Sequence, residues 1–518
     1  MSNQTDKSNR PSGFIRFING IEVLGNKLPH PFFLFCGLAV LALILSVVFA
    51  GTSVSYIAAA NDGSGMKEVT VSVINLLDRA YWQNITQNFV KIYINFAPLG
   101  VVMVMMFAIG FAQDSGFFHA FMKRTLLGAP PVLVTFVLAV VCVCANMASN
   151  AGIIFSATIG AAIFASLGRN PLIGAVFGYA ASHGGFTANL MLSADDVLQS
   201  GITESAASGM GIDAPINPMY NYFFMICATF VIATAATFVT EKVLPKTCKY
   251  EGIQQELDQS VSPEEHKGLR NALIAFIVYI ALMLFLTVPK NAFFRTDDGA
   301  LVPQSPFTNS VVFILFVMFV TLGTAYGIGA GTIKKQADFP KLMGKGLADS
   351  ISFFVIALPS ALFIQFFNDS KLANILSVNG ANLLKNLNFT GIPLAVSFVL
   401  LSTFLNLFMT SGSSKWLILA PIFVPMFAQL GFSPAFTNLC YRIGDTMTNP
   451  IAPINYYLPI VLGIMNQYKR QQDPELGMGS LISMTLPYSI AYTCVLLPML
   501  VIWMMLNLPL GPGATIYL

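Results

Sequence analysis

The sequence is dominated by long apolar stretches that contain almost no charge. Nine of them are long enough to cross a bilayer, at about residues 31–50, 89–113, 171–194, 219–241, 269–288, 310–333, 351–367, 434–466 and 484–508. A helix needs about 20 apolar residues to cross roughly 30 Å of hydrocarbon. Only 10% of the 518 residues are charged, whereas a soluble domain carries about 25% charge. The sequence therefore predicts an all-α polytopic membrane protein with nine transmembrane helices, and it excludes soluble enzymes and nucleic-acid binders.

Two further apolar regions, 131–167 and 393–430, are interrupted in the middle. The interruptions are NMASN (146–150) and TSGSS (410–414), and the apolar stretch on each side has about fifteen residues. Such stretches are too short to span the hydrocarbon comfortably. Irregular backbone at membrane depth is tolerated only where it is buried in protein or lines a water-filled cavity. Both regions are therefore predicted to be re-entrant hairpins.

The distribution of lysine and arginine predicts an orientation. The N-terminal tail and the loops near 123, 169, 242–270, 334–345 and 469–470 hold 18 basic residues, against 7 in the alternate loops 51–88 (counted with Lys91), 289–309 and 368–392. The positive-inside rule then places the N-terminus in the cytoplasm and the C-terminus outside. The loop predicted over 195–218, which has no basic residue, falls outside. Hairpin 131–167 enters from the cytoplasm and hairpin 393–430 from the outside.

The two hairpins belong to an internal repeat with a period of about 262 residues. FVLAVVCVCANMASNAG (136–152) aligns with FVLLSTFLNLFMTSGSS (398–414). Five membrane crossings separate equivalent points of the two copies. Because five is an odd number, the second copy is inverted relative to the first, as in many secondary transporters. The alternative is chance similarity between apolar segments. The repeat divides the chain into six predicted segments. They are a cytoplasmic tail (1–30), a first helix with a periplasmic loop (31–88), repeat one (89–241), a connecting segment (242–350), repeat two (351–508) and a periplasmic C-terminus (509–518).

Three charged residues fall inside apolar stretches: Lys415, Arg442 and Asp445. Each would cost at least ~2.5–3.5 kcal/mol if it faced lipid, so all three are expected to face protein or water. Arg442 and Asp445 are three residues apart on one helix face and can neutralise each other. That pair is either functional or a buried ion pair that only joins two helices. Lys415 either reaches an anionic substrate or snorkels outward.

Two of the predicted transmembrane helices are interrupted at equivalent places. One break is TMTNPIAP (446–453), with two prolines, and the other is SHGGFTAN (182–189), which ends at Asn189 and leads to Asp195 and Asp196. Interrupted helices offer N-termini to an anionic substrate, and carbonyls, hydroxyls and amides to a cation. The predicted coupling ion is H⁺ or Na⁺, with possible Na⁺ binding near Asn150 and Asn449. The residues predicted to couple the ion are Ser149, Asn150, Ser411, Asp445, Thr448 and Asn449.

Two aromatic side chains near these breaks have competing interpretations. Trp416 either stacks on an aromatic substrate ring or anchors the helix at the membrane interface. His183 is either a proton relay or, the preferred interpretation, a core histidine with satisfied hydrogen bonds. The sequence has no Walker A motif and no Cys/His cluster with metal-ligand spacing, so no cofactor is predicted, ATP is not expected to drive transport, and no metal is predicted apart from the Na⁺ considered as a coupling ion.

The sequence resembles the p-aminobenzoyl-glutamate transporter (AbgT) family over nearly its whole length. The resemblance rests on GNKLPHP (25–31), NFAPLG (95–100), GFTANL (185–190), SGSSKWLILAPIFVPMF (411–427), YRIGD (441–445) and LPLGPG (508–513). It implies a homodimer in the bacterial inner membrane, with nine spans and two re-entrant hairpins per protomer. It also implies transport of p-aminobenzoyl-glutamate or related folate precursors and, in some members, proton-driven export of sulfonamide antimetabolites.

The resemblance also carries functional residues onto this chain, namely Asp196, Ser413, Trp416, Arg442, Asp445 and Pro453. One position departs from the family, which often has an acid where this chain has Asn150. An amide donates and accepts hydrogen bonds but cannot carry a proton.

The leading hypothesis is a secondary transporter of an anionic aromatic amino-acid conjugate, with no enzymatic activity. Arg442 would bind the carboxylate, Trp416 the ring and Ser413 a polar edge, while Asp445 and Asp196 would be linked to the ion. The alternatives are export of sulfonamide-type drugs through the same cavity, a passive channel, or an intramembrane enzyme. An enzyme would need a nucleophile–base pair or paired metal-binding acids, for which the sequence offers no suitable spacing.

Overall fold

The computed structural model describes residues 31–59, 66–127, 133–209, 211–212, 214–252, 261–301, 305–348, 351–409, 411–453, 455 and 457–518. The predicted cytoplasmic tail 1–30, and with it most of the 25–31 motif, lies outside these residues. Thr410, within the predicted second break, lies outside them too.

The described residues of the N-terminal half form helices and one β-hairpin. A strand pair, β1 (Ser53–Ala59) and β2 (Met66–Ser72), is antiparallel with Ser53 opposite Ser72. The helices are α1 Pro31–Val48, α2 Arg79–Ile94, α3 Ala97–Asp114, α4 Phe117–Leu127, α5 Val134–Cys144, α6 Ser149–Ser166, α7 Pro171–Gly184, α8 Ala194–Ser208, α9 Tyr222–Phe238 and α10 Leu244–Thr247. A π-helical turn, Val239–Val243, joins the last two.

The C-terminal half consists of helices. They are α11 Pro263–Thr287, α12 Pro306–Asn309, α13 Val311–Ala330, α14 Asp338–Ala348, α15 Ile351–Asp369, α16 Leu372–Asn386, α17 Gly391–Asn406, α18 Gly412–Ala428, α19 Pro434–Thr448, α20 Leu458–Gln467 and α21 Met478–Met505. The C-terminal residues return to the start of α19, where the Ser433 amide donates to the Ile516 carbonyl at 2.8 Å.

Several helices have the length and composition of membrane spans. Among the described residues six stretches qualify: Pro31–Val48, Arg79–Asp114, Tyr222–Thr247, Pro263–Thr287, Val311–Ala330 and Met478–Met505. The pair α14–α15, bent by 54°, is either a seventh, broken span or a re-entrant segment. Helices and closed barrels are the structures that can satisfy all their backbone groups in hydrocarbon. The predicted class, an α-helical protein with many apolar helices, is confirmed.

The two regions predicted as hairpins consist of short helix pairs, α5–α6 and α17–α18. In the first pair a 3₁₀ turn over Ala145–Ala148 lies between the helices. In the second, Ser411 caps α18 by accepting a hydrogen bond from the Ser414 amide at 3.4 Å. Each of the four helices is shorter than about 20 residues and cannot cross the hydrocarbon alone. Both breaks therefore coincide with the polar interruptions in the sequence.

The two helices predicted to be interrupted, α7 and α19, begin and end in similar ways. Asn170 and Ser433 cap their N-termini, and a proline follows each cap as the first helical residue, where its missing N–H costs nothing. Helix α7 ends at Gly184 and α19 at Thr448. A 3₁₀ turn, Asn449–Ile451, follows the second end, and Pro450 within it has no N–H group with which to continue the α-helical hydrogen bonds.

The segment 195–218 was predicted to be a loop outside the membrane. Its first part is a helix, so the prediction of a loop is wrong there, while its placement outside the membrane stays a prediction. Residues Ala194–Ser208 form α8, and its residues from Asp196 to Thr203 are buried. Ser193 and Asp196 form a capping box that starts the helix. The prediction failed because the buried face carries Gln199 and Thr203, which hydropathy assigns to water but which pair with other buried side chains.

Other predicted loops and spans also differ from the structure. The loops over 334–345 and 368–392 contain much of α14 and α16, and the loop over 51–88 contains the β-hairpin and the start of α2. The span predicted over 89–113 lies within the candidate span Arg79–Asp114, but this stretch consists of two helices, α2 and α3, because Pro98 lies in the first turn of a new helix after Phe96. Short amphipathic helices lack the long apolar stretch on which a span prediction depends.

Glycines allow the first hairpin to lie against α7. A Cβ atom on Gly178 would lie 1.8 Å from the Ser156 carbonyl oxygen, and one on Gly160 would lie 2.2 Å from the Gly174 carbonyl oxygen. Contacts that close exclude any larger side chain. The backbone of α6 is therefore held directly against the interrupted helix, which fixes the position of the hairpin tip.

Candidate functional site

A cavity of about 410 Å³ lies where the tips of the two helix pairs meet the ends of α7 and α19. This volume falls within the range of about 300–1,000 Å³ that is usual for small-molecule sites. Residues from both halves of the chain line it: Asn146, Ile153, Ser182, His183, Phe186 and Asp195 from the first half, and Ser411, Gly412, Ser413, Asp445, Asn449, Asn455 and Tyr457 from the second.

The structure brings four of the predicted site residues into the wall of this cavity. They are Ser411, Ser413, Asp445 and Asn449. Other predicted residues are buried behind the wall, namely Asn189, Asp196, Trp416, Arg442, Thr448 and Pro453. Ser149 and Asn150 open helix α6, and their side chains lie outside what the structure describes.

Lys415 forms an ion pair with Asp445 inside the protein. Its Nζ lies 2.7 Å from Asp445 Oδ1, and both side chains are 1% exposed. The same ammonium group donates to Asn406 Oδ1 at 2.6 Å and to the Met409 carbonyl at 3.1 Å. An ammonium has three N–H donors, and each has an acceptor here. Lys415 therefore does not snorkel outward, and in this conformation it holds Asp445 instead of reaching into the cavity.

Arg442 pairs with Asp196, with 2.7 Å between Arg442 Nη2 and Asp196 Oδ1. The predicted mutual neutralisation of Arg442 and Asp445 is therefore wrong. The two residues do share a face of α19, but each meets a closer partner on another packed element, Asp196 on α8 and Lys415 on α18. Sequence spacing predicts only contacts within one helix, whereas these partners come from tertiary packing.

The Arg442–Asp196 pair joins three elements around the first break. Arg442 Nε donates to the Phe186 carbonyl at 2.7 Å, and Nη2 donates to the same oxygen. Asp196 Oδ2 accepts from the Ser193 amide at 2.6 Å and from the Ser193 hydroxyl at 2.8 Å. Among the described residues Arg442 Nη1 has no hydrogen-bond partner. One N–H edge of this guanidinium is therefore available behind the ring of Phe186, which lines the cavity.

Trp416 is fully buried and does not present its ring to the cavity. Its Nε1 donates to Thr203 Oγ1 at 3.0 Å. The indole stacks on Tyr441 with 4.7 Å between ring centroids and 23° between ring planes. The Tyr441 hydroxyl donates to the Gly412 carbonyl at 2.5 Å. The predicted interfacial anchoring is wrong, and stacking on a substrate ring stays a prediction that would require Tyr441 to move.

His183 lines the cavity and has both ring nitrogens engaged. Asn455 Nδ2 lies 2.9 Å from His183 Nε2, while Asn455 Oδ1 accepts from the Tyr457 amide at 3.1 Å. Because that second bond fixes the amide orientation, His183 Nε2 accepts, and the proton lies on Nδ1, which donates to the Tyr179 carbonyl at 2.9 Å. This geometry favours the interpretation as a satisfied core histidine over that as a proton relay.

Two asparagines that were not predicted as site residues fix the hairpin tips to the interrupted helices. Asn146 Nδ2 donates to the Gly185 carbonyl at 3.1 Å. Asn406 Nδ2 lies 3.1 Å from the Asp445 carbonyl and 2.8 Å from Asn449 Oδ1. The available signal was an amide side chain at the end of the apolar stretch that leads into each break. A buried amide in such surroundings requires partners.

Asp195 is the other feature that the predicted site set lacks. It lines the cavity beside Asn146, and none of the ion pairs found among the described residues includes it. The four paired charges of Lys415, Asp445, Arg442 and Asp196 cancel. The carboxylate of Asp195, at the cavity wall, therefore belongs to none of these ion pairs.

Comparison with known proteins identifies relatives over the whole chain. The profile of the AbgT putative transporter family matches residues 16–518. The p-aminobenzoyl-glutamate transport protein of Escherichia coli (strain K12) is 32% identical over 514 residues, which are 99% of each chain. Among solved structures, the Alcanivorax borkumensis YdaH transporter is 29% identical with a TM-score of 0.85, covering 93% of this chain and 100% of its own.

A second solved structure, Neisseria gonorrhoeae MtrF, is 35% identical with a TM-score of 0.88 and covers 96% of this chain and 100% of its own. Its published description places it in a class of antimetabolite efflux pumps. The family profile, which matches residues 16–518, includes the hairpin tips and the interrupted helices that form the cavity. This multi-pass membrane protein therefore belongs to the AbgT family of transporters.

Proposed function

We propose that the chain is an ion-coupled secondary transporter of p-aminobenzoyl-glutamate or related aromatic folate-pathway compounds, working by alternating access in the bacterial inner membrane. The observation that carries the proposal is a cavity at the meeting point of two hairpin tips and two interrupted helices, in a chain 32% identical to a p-aminobenzoyl-glutamate transport protein. Substrate sites of secondary transporters occupy such positions.

The order of helices supports an inverted repeat of nine spans and two re-entrant hairpins. Helices α2 and α3 correspond to the bent pair α14–α15, and α5 to α9 correspond in order to α17 to α21. The interrupted helices, α7 and α19, begin at Pro171 and Pro434, each after a capping side chain. In both copies a short helix follows the break, namely α8 and α20. This agreement supports the inverted repeat over the alternative of chance similarity between apolar segments.

Contacts at the two ends of α9 support opposite directions of entry for the hairpins. Thr135 and Arg169, at the outer ends of α5 and α6, both bond Glu241, just beyond the C-terminal end of α9. At the N-terminal end of α9, the amide of Phe223 donates to the Leu510 carbonyl at 2.9 Å. Leu510 belongs to the C-terminal segment, whose last residue, Leu518, donates its amide to the carbonyl of Gly431, just beyond the end of α18. Because α9 is one of the candidate spans, the two hairpins would enter from opposite sides.

The chemistry of the cavity suits an anionic aromatic substrate. Ser411, Gly412 and Ser413 form the N-terminal end of α18 and line the cavity. Backbone N–H groups at a helix N-terminus bind carboxylates favourably. The guanidinium of Arg442 lies behind Phe186, with its central carbon 5.3 Å from the centroid of that ring. In the proposed substrate-bound state Phe186 moves and Arg442 Nη1 receives a substrate carboxylate.

Asp195 is the acid that we propose carries the coupling proton. If Asp195 is ionised, a substrate carboxylate about 4 Å from it would be repelled by about 4 kcal/mol at an effective dielectric constant of 20. Protonation of Asp195 removes this repulsion, so proton and anionic substrate would bind together. Joint binding is the requirement for symport and hence for uptake. A sodium site near Asn150 and Asn449 is the alternative coupling arrangement.

The experiment is accumulation of labelled p-aminobenzoyl-glutamate in proteoliposomes. With the protein reconstituted, an imposed inward proton gradient should drive accumulation above the external concentration, and an imposed sodium gradient at constant pH should not. Accumulation driven by sodium alone would refute the proton assignment. Substrate conversion without any gradient would instead favour the intramembrane enzyme, and flux that does not saturate would favour a channel.

The second candidate function is proton-driven export of sulfonamide antimetabolites through the same cavity. It is favoured by the 35% identity to MtrF. Export by antiport requires that proton and drug compete, so a sulfonamide should be expelled when protons flow in the opposite direction. Loading vesicles with a sulfonamide and imposing each gradient in turn separates this candidate from uptake. The homodimer and the cytoplasmic N-terminus stay predictions.

A further inference from the structure

A long groove runs between α9 and α21 on the outer surface of the helix bundle, away from the substrate cavity. It has a volume of about 1,120 Å³ and apolar walls formed by Phe230, Val239 and Val243 on one side and by Leu486, Ile490 and Cys494 on the other. Ile490 is 56% exposed. Because both helices are candidate spans, this groove faces the hydrocarbon, and acyl chains are the apolar groups available there to fill it.

One end of the groove is polar and cationic. Thr247 and Ser483 bring hydroxyl groups into its wall at the end where the α9–α10 segment finishes and α21 begins. Lys242 and Lys246 directly precede the lining residues Val243 and Thr247, and Lys249 follows two residues after Thr247. All three lysines are exposed.

Two of the acids near these lysines are already engaged elsewhere. Glu241 accepts from Arg169 at 2.8 Å and from Thr135 at 2.7 Å, and Glu251 pairs with Arg470. None of the ion pairs within the described part of the chain includes Lys242, Lys246 or Lys249. Two further acids, Asp473 and Glu475, lie shortly before α21, and Asp473 accepts hydrogen bonds from the backbone amides of Glu251 and Arg470. The end of the groove therefore presents three lysines that belong to none of these ion pairs, and positive charges outnumber the carboxylates there.

We propose that this groove is a binding site for an anionic phospholipid. The acyl chains lie between α9 and α21, and the phosphate lies among Lys242, Lys246 and the hydroxyls of Thr247 and Ser483. Basic residues at the end of a membrane span attract anionic head groups. The match between an apolar groove and a cationic end is what distinguishes this site from ordinary contact with bulk lipid. The inference does not depend on which substrate the protein carries.

The test compares two lipids with identical chains, dioleoyl phosphatidylglycerol and dioleoyl phosphatidylcholine, by native mass spectrometry of the purified full-length protein. The wild type should retain phosphatidylglycerol in preference to phosphatidylcholine. The Lys242→Gln/Lys246→Gln variant should weaken phosphatidylglycerol binding by roughly 25-fold, since each lysine near the surface contributes about five-fold. A matched control is Lys341→Gln/Lys345→Gln, two exposed lysines on α14, which should leave binding unchanged.

A second variant tests the apolar part of the site. Ala491→Phe adds a ring inside the groove and should lower the retention of both lipids by displacing their chains. Equal retention of the two lipids by the wild type would overturn the proposal, as would unchanged phosphatidylglycerol binding in the double lysine variant. A disulfide-linked dimer that forms on mild oxidation and is lost in Cys494→Ser would also overturn it, because a second copy of the chain would then cover the groove.

Discussion

Replacement of Asp445 by asparagine should destabilise the protein strongly, because it leaves the Lys415 ammonium buried without a counter-charge. Both side chains are 1% exposed and their charged atoms are 2.7 Å apart. Breaking a buried pair from one side costs about 3–5 kcal/mol, a large share of the roughly 5–15 kcal/mol that stabilises a folded domain. The double variant Lys415→Met/Asp445→Asn removes both charges. It should lose only about 1–3 kcal/mol, because Asn406 Oδ1 then lacks its donor.

The assay is thermal unfolding in detergent, followed by a dye that reacts with thiols. Cys142, Cys144 and Cys440 are buried and become reactive only on unfolding. The expected order of melting temperatures is wild type, then double variant, then Asp445→Asn. Glu251→Gln is the control, since its pair with Arg470 is exposed and should contribute less than about 1 kcal/mol. An Asp445→Asn protein as stable as the double variant would refute the reasoning.

Three further predictions concern coupling and packing. Asp195→Asn should make transport of p-aminobenzoyl-glutamate independent of an imposed proton gradient while substrate still exchanges across the vesicle membrane; retained proton-driven accumulation would contradict the coupling role. Asn150→Asp should shift the pH dependence of transport, because a carboxylate replaces an amide at the first hairpin tip; an unaltered pH profile would show that this tip takes no part in coupling. Gly178→Ala should lower stability by about 1–3 kcal/mol through overpacking, since its Cβ would lie 1.8 Å from the Ser156 carbonyl oxygen. The matched control Gly463→Ala, in α20 with nothing within 4 Å of the added Cβ, should not lower the melting temperature and should raise it slightly, because alanine favours a helix over glycine by about 0.5–1 kcal/mol.

The sequence predicted the interrupted elements better than the segments between them. Polar residues in the middle of apolar stretches located both hairpin tips, and Ser411, Ser413, Asp445 and Asn449 do line one cavity. Helix α8 was missed because its buried face is polar. Its Gln199 accepts from Asn438 at 2.9 Å and its Thr203 accepts from Trp416 at 3.0 Å. Hydropathy cannot recognise polar side chains that are buried because they satisfy one another.

The amino-acid sequence alone determined that the chain is helical, that it crosses the membrane many times and where its helices break. Hydrocarbon imposes these properties locally, since every backbone group must find a partner within its own segment and every charge must avoid lipid. Only the tertiary structure decided that Arg442 pairs with Asp196 and Lys415 with Asp445, and that Asp195 has neither as a partner. The strength of a buried ion pair depends on distances of a few ångströms between elements far apart in the chain, and helix packing sets those distances.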